Sequence, residues 1–324
     1  MTAFALKIIA SACMLIDHIG AVFPGQTPDY LRFIGRIAFP IYAYMVAQGC
    51  KRTRDIRKYL LRLGLFAIIS EVPFDLAFGP LRGYSGVNFL GHTNVFFTLF
   101  LGAAGIALYE KLRASKYPYL AFAASILAVF CAHLLDTDYG AFGAAFIFII
   151  YAVLYVGGPD SRFSRFAVVA AGMVYFYGRN IVTYILSGLR QGVSPFDSPE
   201  WLTRSALPML LCSLVAPVLI CLYNGEMGGF GSASAYDPAA GLTPGSGRGA
   251  EPLAAPGEKH GARQLAAPSS GQGSEPGSDQ RSAPSVEPDA AHKSMYRTIV
   301  KWAFYAFYPA HIAALAIVRD FILK

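Results

Sequence analysis

Ala3 to Phe23 is an apolar stretch that carries three ionisable side chains, Lys7, Asp17 and His18. As a helix, a run of that length reaches ~30 Å, the thickness of a bilayer's hydrocarbon core. Lipid offers no partner to the main chain, so such a segment must be helical. Ionisable groups within it cost roughly 2.5–3.5 kcal/mol each on insertion scales, and by default they mark a functional site. Lys7 and His18 are eleven positions apart. At ~100° per residue they fall within about 20° of registry, so one helix face carries both. The rise between them is ~16 Å, which puts a cation near one surface and an imidazole near mid-membrane. Asp17 projects from an adjacent stripe.

Eight further apolar stretches follow, at 33–50, 59–78, 92–112, 118–135, 139–157, 163–187, 204–223 and 298–320. The chain is 55% hydrophobic and 15% charged, whereas soluble domains run nearer ~25% charged. The expectation is an all-α, polytopic integral membrane helix bundle of about nine transmembrane helices, with the lipid bilayer as its solvent. The net charge of +7 sits largely in short loops and serves topology, so no nucleic-acid partner is expected. The basic loops after 50, after 112, after 157 and before 298 fall on one side under strict alternation. That pattern gives a cytoplasmic N-terminus. Residues 228–292 are rich in Gly, Ala, Pro and Ser, with few large apolar residues, and read as a disordered cytoplasmic linker. The organisation expected is therefore a bundle over 1–227, the linker, and a final helix over 293–324 that completes the bundle. The five cysteines show no metal-ligand spacing, so no metal is expected. No Walker loop, Rossmann fingerprint or HExxH is present, which argues against a nucleotide-driven pump or a zinc protease.

The residues that can carry chemistry begin with His18, a candidate base, and Asp17, a candidate acid that orients it or pairs with a cation of another helix. Lys7 is either a snorkelling lysine or a cation for phosphate. Arg36 opens the second stretch just before Pro40, whose ring is expected to kink the helix and shape a cavity. Arg36 then either holds an anion or balances Asp17. Glu71 and Asp75 share one helix face, with Pro73 between them. They either contact substrate or form structural charge pairs. Asn94, with Asn88 and His92, stands at the start of the fourth stretch, where helix caps are common. In the last stretch Tyr305, Tyr308, Pro309 and His311 suggest a polar kink, with His311 a second candidate base. Intramembrane Asp and His also suit a proton-coupled membrane transporter, which is the alternative reading.

Several segments resemble one family. They are Leu6-Lys7-Ile8-Ile9-Ala10 through Met14-Leu15-Ile16-Asp17-His18-Ile19-Gly20, Arg36-Ile37-Ala38-Phe39-Pro40, Ser70-Glu71-Val72-Pro73-Phe74-Asp75, Asn94-Val95-Phe96-Phe97-Thr98, Tyr223-Asn224-Gly225 and Phe304-Tyr305-Ala306-Phe307-Tyr308-Pro309-Ala310-His311. Together they resemble the TraX family over nearly the whole chain outside 228–292. That family takes its name from a conjugation protein that acetylates the amino terminus of pilin. It looks similar to the membrane acyltransferases of family 3, in which an arginine, ten residues and a histidine mark the first helix. Lys7 and His18 keep that spacing with Lys in place of Arg. The resemblance implies a bacterial inner-membrane acyltransferase, an acetyltransferase of the cell envelope. Acetyl-CoA would be the acyl donor, and a pilin or a surface glycan the acceptor. With the reading of the residues themselves, the expected catalytic residues are His18 and Asp17, and the expected substrate contacts are Lys7, Arg36, Glu71, Asp75, Asn94, Tyr305 and His311.

Overall fold

The computed structural model describes residues 1–84, 86–89, 91–191, 200–226 and 288–322. Among these the regular elements are helices, and no strand forms beyond an isolated bridge between Thr93 and Thr137. In chain order they are α1 Ala3–Val22, α2 Tyr30–Gly35, α3 Ala38–Arg52, α4 Ile56–Phe78, α5 Val95–Arg113, α6 Ala121–Leu134, α7 Gly140–Tyr155, α8 Arg162–Arg190, α9 Leu207–Ser213, α10 Val215–Cys221 and α11 Pro288–Ile322. Packing divides the chain into a helical body, Met1–Ser232 with Tyr296–Lys324, and a unit over Ala233–Met295, of which only the start of α11 is described. The linker expected over 228–292 lies outside the described residues as far as 287. Helix α11 then begins at Pro288, ten residues before its expected start.

Helix starts follow local chemistry. Thr2, Asp55, Asn94 and Ser161 each cap a helix by accepting from a main-chain N–H two or three residues on. The kink expected at Pro40 is instead a break. Arg36 and Ile37 separate α2 from α3, and their N–H groups bond three residues back, to Phe33 and Ile34. Pro40 lacks the N–H that would bond Arg36, and it sits in the first turn of α3, where that lack costs little. A wide turn over Leu202–Ala206 precedes Pro208 for the same reason.

Among the described residues four segments qualify as membrane spans by length and composition, Ala3–Val22, Val95–Arg113, Arg162–Arg190 and Leu202–Cys221, rather than nine. Helices α6 and α7, of 14 and 16 residues, are ~21–24 Å long and fall short of a ~30 Å core. Helix α3, of 15 residues, is likewise short, and Arg62, Glu71 and Asp75 interrupt the apolar run of α4. The outer faces of α4 and α6 still expose Leu65, Ile68, Ile69, Phe122, Ile126 and Phe130, as suits a surface bathed in hydrocarbon.

Helix α3 runs through the middle of the body, packed by α1, α5, α7, α8 and α10. Its Ile41, Ala43, Tyr44 and Ala47 are fully buried. Gly102 and Gly172 let α5 and α8 come close to α7; a Cβ at either would collide with Ile147 or Phe146. Tyr223-Asn224-Gly225 does more than end a helix. The Met1 ammonium donates to Leu222 O (2.9 Å), Asn224 N to Met1 O (3.0 Å) and Ala3 N to Glu226 O (2.9 Å). Arg52 reaches Gly225 O, and Arg165 reaches Tyr223 O. The N-terminus is thereby held at one end of the body.

Candidate functional site

At the opposite end of α1, two imidazoles from distant parts of the chain meet. His18 Nδ1 lies 2.7 Å from His311 Nε2, and His311 Nδ1 lies 2.6 Å from Phe307 O. A carbonyl only accepts, so His311 Nδ1 carries the hydrogen. In the neutral pair His311 Nε2 is then the acceptor, and His18 donates from Nδ1. The chain of two bonds leaves a lone pair on His18 Nε2. The rings stack at 5.0 Å and 11°. Phe78 and Tyr308 meet His18 edge-on at 5.6 and 5.7 Å. These contacts fix the imidazole plane.

His18 lines a cleft of about 590 Å³, with Asp17, Arg32, Arg36, Asp138, Tyr139 and Tyr177 around it and Arg82 at its edge over the rings of Phe74 and Phe78. Asp17 does not serve His18. Arg32 Nη1 stands 2.9 Å from Asp17 Oδ1 and Arg36 Nη2 3.7 Å from the same atom. The Arg32 N–H is directed to the Asp17 main-chain oxygen, at 3.1 Å, so the carboxylate is ion-paired without an aligned hydrogen bond there. Gly35 allows this approach, because a Cβ at that position would overlap the Asp17 side chain. Gly20 likewise makes room for Leu31 and Arg32.

Asp138 comes to the cleft from the connection between α6 and α7. That connection bends through Asp136 at φ 41° and Gly140 at φ 53°. It is tied to the start of α5 by Thr93 N to Asp136 O (3.1 Å) and Thr93 Oγ1 to Leu135 O (3.1 Å). His92 spans the same junction, with Nδ1 3.1 Å from Asp136 Oδ2 and Nε2 3.4 Å from Asp138 Oδ1. The Asp138 hydrogen bond raises the His92 pKa against burial, which lowers it, and Asp136 adds to the rise. Burial pushes Asp138 up, but the His92 hydrogen bond and charge outweigh it and hold the carboxyl low.

Other residues expected at the site lie elsewhere. Glu71, Asp75 and Asn94 are each 0% exposed and do not line the cleft. Glu71 Oε2 accepts from Asn94 N and Nδ2, while Asn94 Oδ1 caps Phe96 N at 2.9 Å. Asp75 accepts from the Tyr84 hydroxyl (2.7 Å) and Asn88 N (2.6 Å). These groups fasten α4 to α5 and to the intervening loop, because a buried carboxylate keeps whatever donors it has. Tyr305 packs on Phe66 at 5.2 Å, away from the cleft. Lys7 lies over the Phe304 ring at 5.4 Å and does not reach the cleft either. The shared helix face that linked it to His18 is real, but ~16 Å of rise separates them. Arg32, Arg82, Asp138, Tyr139 and Tyr177 were not singled out from the sequence as site residues. Only Arg32 carried a signal, four residues before Arg36 and hence on the same side of a turn.

Residues 3–189 match the family described as TraX protein. The probable fimbrial assembly protein FimC, serogroup H1, of Dichelobacter nodosus is similar to this chain. It is 30% identical over 190 residues, which cover 56% of this chain and 73% of that protein. No solved structure matches. The matched stretch contains Asp17, His18, Arg32, Arg36 and Asp138. It stops short of Tyr223-Asn224-Gly225 and of the His311 segment, so it is narrower than the resemblance drawn from the motifs. With more than half of its length matched, this chain belongs to the TraX family.

Proposed function

We propose that this protein is an integral membrane acyltransferase. It moves an acyl group, acetyl in the simplest case, from cytoplasmic acyl-CoA to an amine or hydroxyl of a pilin or surface glycan. The observation that carries this reading is His18 lining the cleft and joined through His311 to Phe307 O, a bond chain that in the neutral pair leaves the lone pair on His18 Nε2. The name of the Dichelobacter relative supports an acceptor in the pilus or fimbria. A membrane-spanning bundle and its orientation complete the reading: the N-terminus is cytoplasmic, and the cleft opens outside.

In the reaction His18 Nε2 takes the proton of the acceptor N–H or O–H as its lone pair attacks the thioester carbonyl carbon. The new C–N or C–O bond forms, the tetrahedral adduct collapses, the C–S bond breaks, and CoA leaves as thiolate. The charge that develops on His18 is shared with His311 through the Nδ1–H bond. Asp17 with Arg32 and Arg36 forms the fixed charged wall that orients the acceptor. Lys7 lies toward the donor side, where a cation suits a phosphate.

The test is acetyl-CoA consumption by the purified protein. His18→Ala lowers the rate by roughly 10²–10⁴-fold, the usual share of a general base. A wild type that neither binds nor consumes acyl-CoA ends this reading, and substrate-dependent proton flux in vesicles replaces it with a transporter.

A further inference from the structure

General-base transfer leaves His18 carrying a proton, while the CoA thiolate departs on the donor side of the bundle. The base must lose that proton before another turnover. His18 and Asp138 both line the cleft. Asp138 is 33% exposed and Asp136 74% exposed. His92 stands between them with one ring nitrogen on each, and Asn94, two residues on, anchors that segment in the core. An imidazole bridging a cleft carboxylate and a surface carboxylate can accept at one nitrogen and release from the other.

We propose that Asp138, His92 and Asp136 form a proton relay that resets His18, and this rests on the acyltransferase reading above. The His18 proton passes to the Asp138 carboxylate. Neutral His92, with its hydrogen on Nδ1, takes the proton from Asp138 at Nε2, releases its Nδ1 proton to Asp136 and water, and returns to the starting tautomer by ring reorientation before the next turnover. The CoA thiolate takes a proton from water on the donor side, so the sum is one thioester and one X–H acceptor converted to one acyl product and one free thiol. One proton is taken up on the donor side for each one released at the cleft.

The groups that face the relay are consistent with transit. Besides the two aspartates, His92 senses Arg82 from the turn after α4 and Glu71 from α4. Its ring lies against Phe74 at 6.1 Å. Asp138 senses Arg82 as well as His18 and His92, and its charge also reaches Asp17 and Arg36. Arg82 opposes a proton on His92, whereas the two carboxylates favour it.

Two measurements on the full-length protein test the relay. In the first, acetyl transfer is followed against pH for the wild type, His92→Gln and Asp138→Asn, with thermal unfolding as the check on folding. Glutamine keeps one hydrogen bond of the bridge but carries no titrating proton. Both variants are expected to lose about tenfold or more in turnover, with a changed pH profile and little change in acceptor KM. Added imidazole is expected to restore part of the rate to His92→Ala. In the second, the His92 ring resonance is titrated by NMR, and Asp138→Asn moves the titration to lower pH because it removes the bond that raises it. Folded His92→Gln and Asp138→Asn proteins with wild-type turnover and pH profile would overturn the relay alone. So would loss of turnover in His92→Ala without imidazole rescue. A wild type without acyl transfer would remove the relay together with the acyltransferase reading.

Discussion

His18 owes its basic nitrogen to a residue almost three hundred positions away. His311 is held by the Phe307 carbonyl, and that single acceptor sets the proton pattern of both rings. Replacing His311 with alanine removes the acceptor that keeps the His18 hydrogen on Nδ1, so part of the population places it on Nε2. The expected outcome is a fall in turnover smaller than the roughly 10²–10⁴-fold loss for His18→Ala. Steady-state kinetics with acetyl-CoA checks this, and an unchanged kcat would show that the tautomer is set elsewhere. Asp17 differs in kind. It lies next to His18 in sequence, yet its partners are Arg32 and Arg36, because adjacent helix positions diverge by ~100°.

The connection of α1 to α2 is the element that decides the shape of the cleft. Six residues of α2 run back beside α1, and Gly35 is where the two come closest. Gly35→Ala forces the Asp17 carboxylate or the whole of α2 to move. Overpacking of this kind costs about 1–3 kcal/mol and separates Asp17 from Arg32. Lower thermal stability together with lower activity is expected. A variant with unchanged melting temperature and rate would mean that α2 yields freely. The break before α3 belongs to the same design. Pro40 and the tight turn at Arg36 direct Arg36 into the cleft, where a continuous helix would have carried it along one straight face.

At the scale of the whole molecule, the N-terminus and the cleft lie at opposite ends of α1. Met1 and Ala3 are bonded to Leu222, Asn224 and Glu226, whereas Thr27 and Asp29 rim the cleft. If α1 crosses the bilayer, Thr2→Cys and Glu226→Cys react with a membrane-impermeant thiol reagent from the same side, and Thr27→Cys from the other. The five native cysteines, all free, are first replaced. Labelling of Thr2→Cys and Thr27→Cys from one side would contradict a spanning α1 and the orientation proposed from the basic loops.

The sequence by itself determined the helical class and the position of nearly every helix, because apolar length and caps are local properties of the chain. It also marked His18, Asp17, Arg36 and His311, since charge in an apolar helix is conspicuous wherever it lies. It did not separate site from scaffold. Glu71, Asp75 and Asn94 read as well for binding as for bracing, and only packing revealed that their hydrogen bonds join α4 to the start of α5 and to the loop between them. His92 reads as a helix-start residue, and its partnership with Asp138 arises only where the α6–α7 connection folds against the start of α5. Tertiary structure alone decided these cases. A carboxylate's role depends on which donors surround it, and those donors come from segments that the order of residues leaves far apart.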